Sequence, residues 1–231
     1  MSLVDAIVAA GAMPPDTASR EQKQLFSQNL SKHLAVEVAD GLRAVGFGGV
    51  KPVRGGPGEK EFQGGLGPKK VDVSHSDARH GLLLAVSIKS INFPPFGKNL
   101  KNRFGDLCTE AITLHMRFPY SVVCALFAFP FSCDQDVTSG RPVSTFRRAL
   151  SLLGTISGRL EYTDPGEKFE NVTMLLFQPM GPGRSRARVR LFDAKTEAEL
   201  TEAAYFQKLR AIYNARNPHA VIEAAIAAER P

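Results

Sequence analysis

Residues 69–93 read KKVDVSHSDARHGLLLAVSIKSINF, two strand-like segments around a polar turn. From Val71 to Ser74 apolar and polar side chains alternate, the period of a half-buried strand. Residues 76–81 are rich in turn formers, and Leu82 to Ile88 is an apolar run short enough to cross the middle of a sheet. A hairpin turning between Arg79 and His80 sets Asp72 across from Ser87. Ser87 and Lys89, two residues apart, share one face of the second strand. The spacing therefore predicts a carboxylate and an ammonium meeting at the rim of a buried sheet. Burying a lysine is costly unless it is paired, and such perturbed pairs concentrate at functional sites.

Toward the N-terminus, residues 2–11 form a short apolar helix candidate, stopped by Gly11 and by Pro14 and Pro15. Asp16 or Thr17 can cap the next helix, over residues 20–45, which carries Leu30, Leu34, Val38, Leu42 and Val45 at helical spacing. His33, Glu37 and Asp40 line an adjacent face, which in itself reads as solvated. Residues 49–54 suit a short first strand. Residues 55–68 hold six glycines and read as a flexible loop or a ragged hairpin. They lack the strand, glycine-rich loop and helix order that cradles phosphate.

Toward the C-terminus, Pro94, Pro95 and Gly97 break the strand, and residues 99–117 form a helix. Leu100, Phe104, Leu107, Ala111 and Leu114 repeat as a core stripe. Asn99, Arg103, Asp106, Glu110, Thr113 and Arg117 run one position earlier. That second stripe suits either a salt-bridged surface or a polar row aimed at the strand ends. Residues 120–129 are a second buried strand, and the strand–helix–strand order implies a parallel pair. A helix over 145–157, capped by Ser144, precedes an apolar strand over 171–178. Arg184, Arg186, Arg188 and Arg190 then alternate with Ala187 and Val189, giving a strand with one arginine face. Such a row suits a phosphate track or an edge protected by charge. A helix over 197–215, with Leu200, Ala204, Leu209 and Ile212 inward, and a short one over 221–228 complete the chain.

These elements predict an α/β fold, a mixed central sheet of about five or six strands flanked by helices. A length of 231 residues suits one domain, residues 1–231, with its core near 20–130 and additions near 143–231. The 43% hydrophobic and 23% charged content is that of a soluble globular protein. A formal charge of +6 and a pI near 9.3 permit a polyanionic partner. Cys108, Cys124 and Cys133 lack metal-ligand spacing and read as free thiols of a reducing cytoplasm. The first residues carry Asp5 and no basic segment, unlike a signal peptide, and no apolar run approaches the roughly 20 residues of a membrane helix. The five histidines show no ligand spacing, and nucleophile-elbow and zinc-protease motifs are absent.

An aspartate on one strand, a short residue-x-lysine on the next, then a helix and another apolar strand resembles the PD-(D/E)xK nuclease superfamily, with Ser87-Ile88-Lys89 in place of the usual acid-x-lysine. The resemblance spans about residues 21–130. It implies a restriction-endonuclease-like core and a Mg²⁺-dependent endonuclease acting on double-stranded DNA, of restriction or phage-defence type, with a homodimer among the possible assemblies and no membrane. It also implies roles: Asp72 holding metal, Lys89 orienting the attacking water, and Ser87 leaving one carboxylate to be supplied from elsewhere. Glu110 is the preferred source, with Asp106 on the same stripe and Glu37 on the preceding helix as alternatives. A catalytically inactive descendant that binds DNA or a protein partner is the other expectation, kept open by Ser87.

Overall fold

In the computed structural model, residues 2–180 and 186–223 are described, and their centre is strand β4 (Gly81–Ser90). Its positions 82–88 are all buried, so it must be covered on both faces. Strands β3 (Val73–Asp77), β4, β5 (Val122–Pro130), β6 (Asn171–Gln178), β7 (Arg188–Asp193) and β8 (Glu199–Leu200) form one six-stranded sheet in that order. The pairs β4–β5 and β5–β6 are parallel, and the other three are antiparallel. The expected mixed α/β sheet between helices is therefore the architecture found.

Parity distributes the side chains. Leu84, Val86 and Ile88 point into a core shared with α1 (Leu3–Ala9), α2 (Arg20–Ala44) and α5 (Glu202–Arg216). Ala85 points the other way, into a core shared with α3 (Phe96–Arg117) and α4 (Thr145–Gly154). The register of β3 on β4 steps at Leu83, which has no partner, so Leu82 falls on the same side as Ala85. Beyond that bulge Val73 pairs with Val86, which sets Asp72 opposite Ser87 as the hairpin spacing predicts.

Several local expectations are corrected. Residues 49–54 form no strand; only Lys51 bridges Ser74, through two mutual backbone hydrogen bonds of 2.9 Å. The glycine-rich segment is a hairpin of its own, β1 (Lys60–Gly64) with β2 (Gly67–Val71), so Val71 closes that hairpin and Asp72 lies between the two sheets. The hairpin docks on α3: the Gly65 N–H donates to the Thr113 carbonyl at 2.8 Å. A Cβ on Gly64 would sit 2.5 Å from the Thr113 methyl and 2.8 Å from its carbonyl oxygen, an approach only glycine allows.

Ser19 rather than Asp16 or Thr17 caps α2. Helix α3 begins at Phe96, three residues early. Residues 199 and 200 add β8 instead of opening the last helix, which Thr201 caps. That helix buries Tyr205, Phe206, Leu209 and Tyr213, leaving Ala204 exposed. Residues 221–223 are not helical, and the rest of the short terminal helix lies outside the described residues, as does Arg184. Among the described residues no helix is long and apolar enough to cross a membrane.

At the edge where the parallel strands begin, a buried carboxylate locks the sheet. Glu170 accepts the Val123 N–H at 2.8 Å and the Arg159 guanidinium at 2.8 Å, with Arg216 at 3.3 Å and His115 at 3.4 Å. Burial alone pushes this carboxyl up, but His115, the Val123 N–H and Arg159 reverse the shift and hold it below its ordinary 4.5. A lowered value means that the contribution is complete above 4.5 and is lost as pH falls through the folded value. Glu170→Gln is therefore expected to cost roughly 3 kcal/mol at neutral pH, since it leaves buried cations uncompensated. It should also flatten the loss of stability below pH 4.5, as read by denaturant unfolding across pH.

Candidate active site

The site forms at the opposite edge, where β4 and β5 end. Ser87 and Lys89 have the parity of Ala85, so both face α3. From that helix Glu110, 2% exposed, turns down onto them. The Lys89 ammonium lies 2.8 Å from Glu110 Oε2 and 3.8 Å from Asp72 Oδ2. The Ser87 hydroxyl donates to Glu110 Oε1 in a short hydrogen bond. Asp72 is fixed from the other side by the Ile88 N–H, which donates to its Oδ2 at 2.7 Å. Both carboxylates thus converge on one ammonium, and Asp72 and Glu110 can be no further apart than the sum of those two distances.

Electrostatics separate the two acids. Burial opposes the charge on Lys89, but Glu110 and Asp72 outweigh it and hold the ammonium above its ordinary value. Burial also pushes Glu110 up, and Lys89, Lys69 and the Ser87 hydroxyl together bring it below. Asp72 stays raised: burial dominates, Lys89 and the Ile88 N–H offset only part of it, and Glu110 and Glu59 add to it. One acid is firmly ionised, the other holds its proton more tightly than usual.

A lysine that the sequence reading leaves unassigned completes the cluster. Lys69 on β2 places its ammonium 3.0 Å from Glu110 Oε2. Its signal is the period-two relation to the buried Val71, hidden in a segment whose glycines suggest a loop. Glu110 Oε2 therefore faces two ammonium groups and is held by their charge. A cleft of about 510 Å³ opens beside it, lined by Lys69, Lys89, Arg103, Asp106, Glu110 and Thr113.

The other sequence candidates divide. Asp106 lies on the cleft wall but is exposed and paired with Arg103 at 2.8 Å. Glu37 does not join the cluster, because α2 packs on the opposite face of the sheet from Ser87 and Lys89. It pairs instead with Arg54 at 2.6 Å. Arg186 and Arg188 are exposed. Arg188 pairs with Gln178, so both arginines lie at the end of the sheet that carries Lys89. Arg190 is engaged by Glu199 at 2.7 Å and lies over the Phe192 ring.

Among the described residues there is no group of three or more His, Cys, Asp or Glu side chains placed to hold a metal. A closed structural zinc site is thus not offered. Two convergent carboxylates do suit Mg²⁺, which keeps several waters and needs only one or two carboxylates besides substrate oxygens. The Ile88 carbonyl is a third oxygen, since N–H and C=O of one extended residue point to the same side.

No family model and no curated protein matches the chain. Among solved structures, the crystal structure of the central domain of yeast acetyl-CoA carboxylase is similar with a TM-score of 0.40 and 12% identity, over 90% of this chain and 31% of that one. The chain thus spans under a third of that protein's length, and a likeness at this level carries no argument about activity.

Removing Glu110 leaves Lys89 buried beside a single, more distant acid. Glu110→Ala is expected to lower stability by about 2 kcal/mol. Glu110→Gln, which still accepts from Ser87, should cost less, as compared by denaturant unfolding.

Proposed function

We propose that this protein is a Mg²⁺-dependent endonuclease that hydrolyses phosphodiester bonds of double-stranded DNA in the cytoplasm, of the restriction or phage-defence type that the Asp72 and Ser87-Ile88-Lys89 resemblance implies. The observation that carries the reading is the convergence of Asp72 and Glu110 on the Lys89 ammonium. Ser87 stands where the resembled family has an acid, and Glu110 brings a carboxylate to the same point from α3.

Asp72 and Glu110 would hold a magnesium ion, which would supply a water of lowered pKa and offset charge on the phosphate. The protein's own groups do the rest. The Ile88 N–H fixes the Asp72 carboxylate, and the Ser87 hydroxyl orients Glu110. Lys89, kept protonated by both acids, orients the attacking water through its N–H groups and stabilises charge developing on the phosphate oxygens. Arg186 and Arg188 contact the DNA backbone beyond the site, without reading sequence.

Nicking of supercoiled plasmid in Mg²⁺ tests the chemistry. Asp72→Asn, Glu110→Gln and Lys89→Met are each expected to slow it by at least about 100-fold. Undiminished cleavage by the first two variants would sink the assignment. A second reading, a DNA-binding protein without catalysis, is favoured by the hydroxyl at Ser87, and tight DNA binding with no cleavage by the wild type would select it.

Binding measured against salt tests the arginines. Replacing Arg186 and Arg188 by alanine should reduce the log–log salt slope by about 2, close to one unit per lost phosphate contact. Arg190→Ala should change it less, because Glu199 already neutralises that side chain.

A further inference from the structure

The cluster is electrically closed as it stands. Asp72 and Glu110 contribute two negative charges, Lys69 and Lys89 two positive ones, all joined through contacts of 2.8, 3.0 and 3.8 Å. A divalent cation entering between the acids must share Glu110 with two ammonium groups, and like charges at such distances repel strongly. One lysine has to leave. Lys89 is the better anchored: it contacts Asp72 as well as Glu110, lies 3.4 Å from the Ser87 hydroxyl, and its side chain is 17% exposed. Lys69 has Glu110 as its ion-pair partner, its side chain is 31% exposed, and it belongs to a two-stranded hairpin outside the main sheet.

We propose, resting on the nuclease reading, that Lys69 is an internal counter-ion that occupies Glu110 until a divalent cation displaces it, and that then binds the phosphate of the DNA. The cleft that Lys69 lines gives the ammonium a place to turn into. Its charge is wanted there, because metal, Lys69 and Lys89 together leave the loaded site with a surplus of two positive charges. Each phosphodiester of the DNA brings one negative charge toward offsetting it. Metal and DNA therefore strengthen each other's binding, and the coupling is reciprocal. Without DNA the metal is bound weakly, so the loaded site forms where substrate is present.

The test is a titration of the full chain with Mn²⁺, followed by the electron paramagnetic resonance of the free ion, with and without duplex DNA. Without DNA, Lys69→Met is expected to bind Mn²⁺ about fivefold more tightly than wild type, the size of a partly exposed ion pair. Lys69→Arg, which keeps the charge, should match the wild type. Addition of DNA should tighten Mn²⁺ binding in the wild type more than in Lys69→Met. Equal or weaker Mn²⁺ binding by Lys69→Met overturns the proposal. Asp72→Asn separates this from the reading beneath it. If it abolishes Mn²⁺ binding while Lys69→Met changes nothing, only the counter-ion role falls. If it binds Mn²⁺ and cleaves DNA as the wild type does, both fall.

Discussion

A lysine ammonium at the end of a strand buried on both faces is the constraint on which the site is built. Lys89 follows seven buried residues of β4 and lies beneath α3, where an unpaired charge is not tolerated. Two carboxylates from opposite directions answer it, Asp72 from the bend before β3 and Glu110 from α3. Each is then fixed by the strand itself, through the Ile88 N–H and the Ser87 hydroxyl. Strand, helix and inter-sheet bend are thereby held to one geometry at the edge of the sheet where the parallel strands end. At the other edge Glu170 plays a comparable part, with its charge consumed by buried cations. Charged groups line a cleft at each edge, of about 510 Å³ beside Lys89 and about 550 Å³ beside Glu170, but only at the first do two carboxylates converge on one ammonium.

What could be read beforehand follows from how far each signal reaches along the chain. The facing of Asp72 and Ser87 was legible because side-chain alternation and turn composition are local properties, although the pairing is reached through a turn one half-step earlier and a one-residue bulge at Leu83 that restores the register. Glu110 was legible only as one member of a polar stripe. The rotation of α3 about its axis decides which member meets the sheet, and packing sets that rotation: Asp106, one turn earlier, went to Arg103 at the surface. Glu37 could not be placed because helical periodicity does not say which face of a sheet a helix will cover. Lys69 was concealed by glycines that, in isolation, favour a loop. Gly64 and Gly65 serve instead to let the β1–β2 hairpin touch α3, a purpose visible only once the helix is in place.

Charge along the rim that carries Lys89 is divided in the same spirit. The acids at the centre are balanced by lysines, while further positive charge lies outward, at the exposed Arg186 just before β7 and Arg188 at its start. Counting by strand spacing, Arg188 stands three strands across and four residues along from the level of Lys89, roughly 14 Å by 13 Å.

The two ends of the sheet carry a consequence for self-association. β8 has only two residues, and its Glu199 is tied back to Arg190. On the far side, the outward N–H and C=O of Ser74 are occupied by Lys51. A two-residue strand at one border and a covered residue at the other shorten the run of backbone groups on which a foreign strand could template, one way in which edge strands limit uncontrolled polymerisation.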